Sequence, residues 1–253
     1  MTLLTLKEVK SNLTTVDFSK LPKPTKKNKG YRGQLLELAV GIENSSNLCD
    51  MVDGELKSFT RGQSIAVTQL NHALPEIEKN VPFKDTVVGK KLDNTLYVSF
   101  SKENEYLSSK EISSKNDPEH FSKLEQDYND IKDIIRNAIK ERKELKTITG
   151  RNKILQIRTS GSKKSDGTYT PLKYNGHQLK DKYMRFYITG KYAKKEISWF
   201  LYISCLTYRR AWIIIIVVKA FPLMTKTKQL HALNTFKPYA VFYRTGGQIE
   251  KFH

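Results

Sequence analysis

The feature that most constrains the fold is a long amphipathic helix opening at Asp117. Asp117-Pro118-Glu119 supplies an N-cap acid and a proline at the first helical position. Phe121, Leu124, Tyr128, Ile131, Ile135, Ala138 and Ile139 then keep the helical period, and the pattern predicts an end between Glu144 and Thr149, before Gly150. A second helical face is expected from Gly30 to Ile42, carried by Leu35, Leu36, Leu38, Ala39 and Ile42. Glu37 lies beside that stripe, where an acid taken alone reads as a surface residue. Strands are expected at Ser64–Leu70, Thr95–Phe100, Lys153–Arg158 and Tyr183–Ile188. Lys90, Lys91 and Lys102 flank the second of these and read as solvated strand ends. Helices and strands interleave along the chain, which is the pattern of an α/β fold.

The stretch with the most chemistry is Asp50-Met51-Val52-Asp53-Gly54-Glu55-Leu56-Lys57. An acid and a short turn lead into Glu-x-Lys at the start of a strand. Strand side chains alternate, so Glu55 and Lys57 share a face while Leu56 takes the other. Asp50 can fold back beside them. Two neighbouring carboxylates repel one another and hold a hard divalent cation well. A lysine beside them can position water or steady charge on a transferring phosphate. The bland alternative is a charged edge strand.

The charge balance narrows the partner. The 253 residues carry 44 Lys and Arg against 26 Asp and Glu, a net charge of +18, and such an excess points to a polyanion. Lys20 to Lys29 holds two prolines and a run of lysines and reads as a linker or a loop touching phosphates. The loop from Thr159 to Gly167 carries Lys163 and Lys164 and suits contact with a nucleic-acid backbone. Two cysteines, Cys49 and Cys205, show no zinc spacing and no disulfide framework, so a reducing, cytoplasmic setting is expected. The N-terminus lacks a basic-then-apolar signal segment.

The chain changes character from Ile197, where eight Lys or Arg face one Glu over residues 197–253. Trp212-Ile-Ile-Ile-Ile-Val-Val218 lies in this tail. A membrane helix needs ~20 apolar residues, and Arg209 and Arg210 interrupt the run. A buried or aggregation-prone strand is expected, and no membrane span.

Four ordered segments resemble one family. Lys29-Gly30-Tyr31-Arg32-Gly33-Gln34-Leu35-Leu36-Glu37 resembles the KGxxGxLLE entry helix of the MutH mismatch-repair nickases and of related GATC-cutting type II restriction endonucleases. Asp50 with Glu55-Leu56-Lys57 resembles their D…ExK core, Ile154-Leu-Gln-Ile-Arg158 their LQIR strand, and Phe186-Tyr187 followed by Lys191, Lys194 and Lys195 their FY segment. The likeness covers roughly residues 25 to 195.

The resemblance implies a restriction-endonuclease-like core, with a central mixed β-sheet flanked by helices, over residues 1–196, and an atypical tail over 197–253. It implies Mg²⁺-dependent hydrolysis of double-stranded DNA at a short palindrome such as GATC, by a protein that dimerises on DNA. A mismatch-repair nickase and a non-catalytic DNA-binding module are the alternatives. Glu37, Asp50 and Glu55 would hold the metal, directly or through water. Lys57 would orient or help deprotonate the attacking water. Lys29 would lie by the phosphate, Arg158 would contact the recognition sequence, and Tyr187 matches the position that senses adenine methylation. Ile65 falls where the family has a DNA-contacting aromatic. The shorter interval before Glu55 leaves Asp53 in competition with Asp50 for the metal, and Thr159 replaces the family's proline after Arg158.

Overall fold

The computed structural model describes residues 3–21, 30–43, 47–161, 163–197, 202–208 and 211–217, the last two as backbone only. Lys29 and the rest of 22–29, residues 44–46, and Arg209 and Arg210 lie outside the described residues. The chain divides into two units, Met1–Trp199 and Phe200–His253.

The first unit is mixed α/β. Helix α1 (Leu6–Leu13) opens with a capping box: Glu8 N–H donates to the Thr5 hydroxyl and Thr5 N–H to the Glu8 carboxylate. Helix α2 (Tyr31–Ala39) follows and leads to strand β1 (Glu55–Thr60). The crossover then runs through strand β2 (Ile65–Gln69), helix α3 (Leu70–Glu78), a 3₁₀ turn (Phe83–Asp85) and helix α4 (Val87–Leu92). Strand β3 (Thr95–Phe100) pairs parallel with β1, Glu55 opposite Thr95 and Lys57 opposite Tyr97. Strand β4 (Tyr106–Ile112) closes this three-stranded sheet antiparallel, in the order β1-β3-β4.

Helix α5 (Pro118–Lys140) comes next, its first turn capped by the Asp117 carboxylate at His120 N–H. Strands β5 (Ile148–Thr149), β6 (Leu155–Thr159) and β9 (Met184–Ile188) join β2 in an antiparallel sheet, ordered β2-β9-β6-β5. Between β6 and β9 stands a hairpin of β7 (Leu172–Tyr174) and β8 (His177–Lys180). A short helix α6 (Gly190–Tyr192) winds on into a π-helical turn, Ala193–Ile197. In the second unit, β10 (Tyr202–Tyr208) and β11 (Ala211–Val217) form an antiparallel pair. The expected strand at Trp212–Val218 therefore exists as backbone up to Val217, while its burial and Val218 lie outside the description.

The mixed sheet separates two cores. Leu56, Leu96, Val98 and Phe100 face the smaller one, shared with Leu6, Val9, Leu13 and Leu36 of the N-terminal helices. Phe59 and Tyr97 face the larger one, where α3, α4, α5 and the four-stranded sheet meet. Mixed pairing is thus confined to three strands. The remaining core strands form a separate antiparallel sheet rather than extending one central sheet. Gly54 lets β1 enter this layer, because a Cβ there would stand 2.2 Å from the Asn94 carbonyl oxygen.

Three local expectations change. Helix α2 buries Arg32, Leu36 and Val40, while Leu38 and Ala39 face solvent and Leu35 is half-buried. The guanidinium of Arg32 takes the place of an apolar anchor, lying 4.5 Å from the centre of the Phe100 ring and donating to Asn104 and Thr60. Helix α5 ends at Lys140, earlier than the pattern predicts, because Arg142 takes φ +54° and turns the chain. Ile65 is buried in the larger core and cannot reach DNA as the family's aromatic would.

Candidate active site

Strand β1 sets the site. Glu55 and Lys57 lie on its face towards the larger core and Leu56 on the opposite face, as strand alternation requires. β1 is the edge strand of its sheet, so its flank is open to the loop before it. Asp50 folds back from that loop. Its N–H donates to Glu55 Oε2 at 3.2 Å, and its Oδ2 accepts from Leu56 N–H at 3.1 Å.

Glu55 has no exposed surface. A buried carboxylate requires compensation, and two ammonium groups give it. Lys57 Nζ bonds to Oε1, and Lys91 Nζ reaches the same oxygen at 2.9 Å. Lys91 therefore belongs to the cluster and is not a solvated strand end. It sits near the end of α4, and its carbonyl accepts from the Thr95 hydroxyl at the start of β3.

Glu37 comes to the cluster from α2, one turn after Gly33, whose Cβ position would stand 3.4 Å from the Ser58 hydroxyl of β1. Its carboxylate has no hydrogen-bond or ion-pair partner among the described residues. Burial first, and then the charge of Asp50, holds Glu37 above the ordinary carboxylate range. Asp50 is raised in the same way by burial and then by Glu55. Burial pulls Lys57 down, but Glu55 and Asp50, joined by Glu37, outweigh it and leave the ammonium more firmly charged than usual.

Asp53 is engaged elsewhere. Its Oδ1 accepts from Leu6 N–H at 2.7 Å at the start of α1, and its carbonyl accepts from the Asn94 amide. Of the two aspartates, Asp50 is the one that shares space with Glu55.

Three acids against two lysines leave the cluster one negative charge in excess. Glu37 and Asp50 are raised by burial first and by a neighbouring acid second. These are hard oxygen donors of the kind Mg²⁺ takes. No group of three or more His, Cys, Asp or Glu side chains forms a ready metal cage among the described residues. That arrangement still fits Mg²⁺, which keeps several waters and binds through one or two carboxylates.

Beside the cluster opens a cleft of about 360 Å³. Lys91, Asn47, Gln69, His72 and Arg185 are among its walls. Arg158 and Tyr187 lie on the open face of the four-stranded sheet, with the Arg158 guanidinium 4.4 Å from the centre of the Tyr187 ring. Lys163 and Lys164 are exposed on the loop between β6 and β7, where Lys164 N–H bonds to the Thr168 carbonyl and tightens the turn.

The structure thus gathers Glu37, Asp50, Glu55 and Lys57, and separately pairs Arg158 with Tyr187. The sequence reading misses Lys91 and Arg185. Lys91 is 36 residues from Glu55, too far for any local pattern. Arg185 had a signal: it alternates with Phe186 on a strand already expected. Cys49, next to Asp50, is a free thiol raised by burial, and the Cys205 side chain lies outside the described residues.

Fold and site together define a mixed α/β protein with a buried acid–lysine cluster at the edge of a sheet. No protein-family model matches the chain, and no curated protein does. Among the described residues no helix is long and apolar enough to cross a membrane.

Proposed function

We propose that the chain is a Mg²⁺-dependent endonuclease with a restriction-endonuclease-like core, cutting double-stranded DNA at a short palindrome such as GATC. The observation that carries this reading is Glu55, a fully buried carboxylate held by Lys57 and Lys91 with Asp50 folded against it. A fold gains little stability from such a cluster, since the desolvation of buried ions offsets most of their attraction. Phosphoryl transfer needs such a cluster, because catalysis there rests on placed charge. The net charge of +18 and the resemblance of the four sequence segments to MutH-like nickases and GATC-cutting restriction enzymes support DNA as substrate.

Asp50 and Glu55 would hold Mg²⁺, with Glu37 reaching it directly or through water. When bound, the ion supplies Lewis acidity at the phosphate and makes a coordinated water easier to deprotonate. Lys57 is charged throughout the neutral range, which favours holding and orienting the attacking water over removing its proton. Lys91 brings a second positive charge to the cleft wall, where negative charge on the phosphate oxygens increases. Lys163 and Lys164 add sequence-independent affinity for the DNA backbone that falls with salt. Arg158 and Tyr187 face the bases. Cutting both strands of a palindrome calls for a dimer on DNA.

The test is a digest of GATC-containing plasmid, methylated and unmethylated, with Mg²⁺ and mapped ends. Linear product with 5′-phosphate ends is expected. Nicked circles alone would move the reading to a mismatch-repair nickase. Binding without any cleavage in Mg²⁺ or Mn²⁺ would leave a DNA-binding module.

A further inference from the structure

Strand register places two arginines side by side on the open face of the four-stranded sheet. Across β2, β9 and β6, Gln69 is opposite Arg185, and Arg185 is opposite Arg158. In the next row Tyr187 is opposite Gln156. The reverse face carries Phe186, Ile157, Leu155 and Ile188, all buried, so the polar rows look away from the core. Like charges directly across a strand pair repel one another. Neither arginine has a carboxylate within ion-pair reach: the one arginine ion pair among the described residues is Arg151 with Asp130. Two uncompensated guanidinium groups held together on a rigid sheet mark a place for an acceptor-rich ligand.

We propose that Arg185 is a base-reading residue, and that with Arg158 it makes this face a recognition surface for guanine edges in the major groove of duplex DNA. The proposal rests on the nuclease reading for its partner and adds a residue that the sequence resemblance does not assign. Gln69 and Gln156 decide between bases and phosphates. A side-chain amide offers a donor and an acceptor together, phosphate oxygens only accept, and base edges present both kinds of group. An arginine fork matches guanine O6 and N7, and a glutamine amide matches adenine N6 and N7.

Support is rigid as well. Arg158 stacks on Tyr187 at 4.4 Å, and strands hold such groups more exactly than loops do. Two further cations are on loops elsewhere, at Lys163 and at Lys182, whose ammonium lies 4.0 Å from the centre of the Tyr169 ring. Arg185 also lines the same cleft as Lys91, which holds Glu55, so reader and reacting cluster are walls of one opening.

The test is selection of duplexes from a pool with a randomised core, in EDTA so that cutting plays no part. The full-length protein is compared with Arg185→Ala and Arg185→Lys, each checked by thermal unfolding. Wild type should enrich one sequence, and both variants should lose the preference at one G·C pair. Replacing that guanine by 7-deazaguanine should weaken wild-type binding about 10-fold or more and leave both variants unchanged. The lysine variant separates the roles, since it keeps the charge and loses the fork. Rescue by Arg185→Lys, or an equal loss on every duplex with a salt slope lower by about one, would make Arg185 a phosphate contact and overturn the proposal. An unchanged selection, or no enrichment by wild type, would overturn it as well. Failure of the nuclease reading looks different: selection intact and dependent on Arg185, with no cleavage in Mg²⁺.

Discussion

Two acids, Glu55 and Asp127, are equally buried, and their surroundings make them opposites. Asp127, on α5, accepts from the backbone N–H groups of Asn152, Ile154 and Leu155 at 2.6, 2.8 and 2.9 Å. Gly150 allows that approach, since a Cβ there would stand 2.4 Å from the Asp127 carboxyl carbon. Glu55 is held by two lysine side chains and a single N–H. Backbone donors are fixed by the chain and cannot be traded. Ammonium groups on long stems can move and give way to another cation. The first arrangement makes a joint between helix and sheet, and the second makes a place where charge can be exchanged.

The sharpest way to break this contrast is Lys57→Ala. Plasmid cleavage should fall about 100- to 1,000-fold, while duplex binding in a gel-shift assay stays within a few-fold. Unchanged cleavage would remove Lys57 from the chemistry.

Next in size is Asp127→Ala, which leaves three N–H groups, two of them buried, without an acceptor. Denaturant unfolding should show a loss of about 3–5 kcal/mol, with cleavage at 25 °C nearly intact. Loss of cleavage without loss of stability would mean that Asp127 is no mere joint.

His120 tests a buried group held by neither device. It is 4% exposed, its Nδ1 pairs with the Tyr192 hydroxyl at 2.5 Å, and its Nε2 has no partner among the described residues. Burial holds its pKa down at about 4, with Lys110 and Lys123 adding to the effect against Asp117 and Glu196. The neutral ring therefore stabilises the fold above its ordinary pKa of 6.5, and that stability is lost as pH falls towards 4. Wild type should lose about 1–3 kcal/mol across this window that His120→Phe keeps. Parallel acid limbs for the two proteins would count against it.

Glu37→Gln should have the smallest effect. Its raised carboxylate costs nothing below its ordinary pKa of 4.5, and the penalty grows as pH rises through the folded value. Without Mg²⁺ the variant should melt roughly 1–3 °C above wild type at pH 8, with the gap closing by pH 4. Mg²⁺ should raise the wild-type melting point more than the variant's. A gap that ignores both pH and Mg²⁺ would detach Glu37 from the cluster.

Much of this was legible where the signal is local. The Asp117–Pro118 start, the apolar period of α5, and the alternation that sets Glu55 and Lys57 against Leu56 all appear as the sequence predicts. Helix α3 keeps its period with Leu70, Ala73, Leu74 and Ile77, but Pro75 inside it obscures the signal. The β7–β8 hairpin has one local signal, its Asn175-Gly176 turn, where both residues take positive φ. Strand β4 is largely polar and only partly buried, and gives little pattern to read. The rotation of α2 is hidden from the apolar pattern because Arg32, a charged residue, is its anchor. Lys91 was out of reach, since only the closed crossover brings it to Glu55.

That crossover has a temporal consequence. β1 has no partner strand until β3 is made, because its parallel neighbour begins at Thr95. Glu55 lacks its second ammonium until Lys91 has been added to the chain. During synthesis the Asp50–Lys57 segment therefore emerges early but stays an exposed, unassembled strand. The cluster forms only when roughly the first 100 residues have left the ribosome and folded together, so that any activity it supports is withheld from the nascent chain.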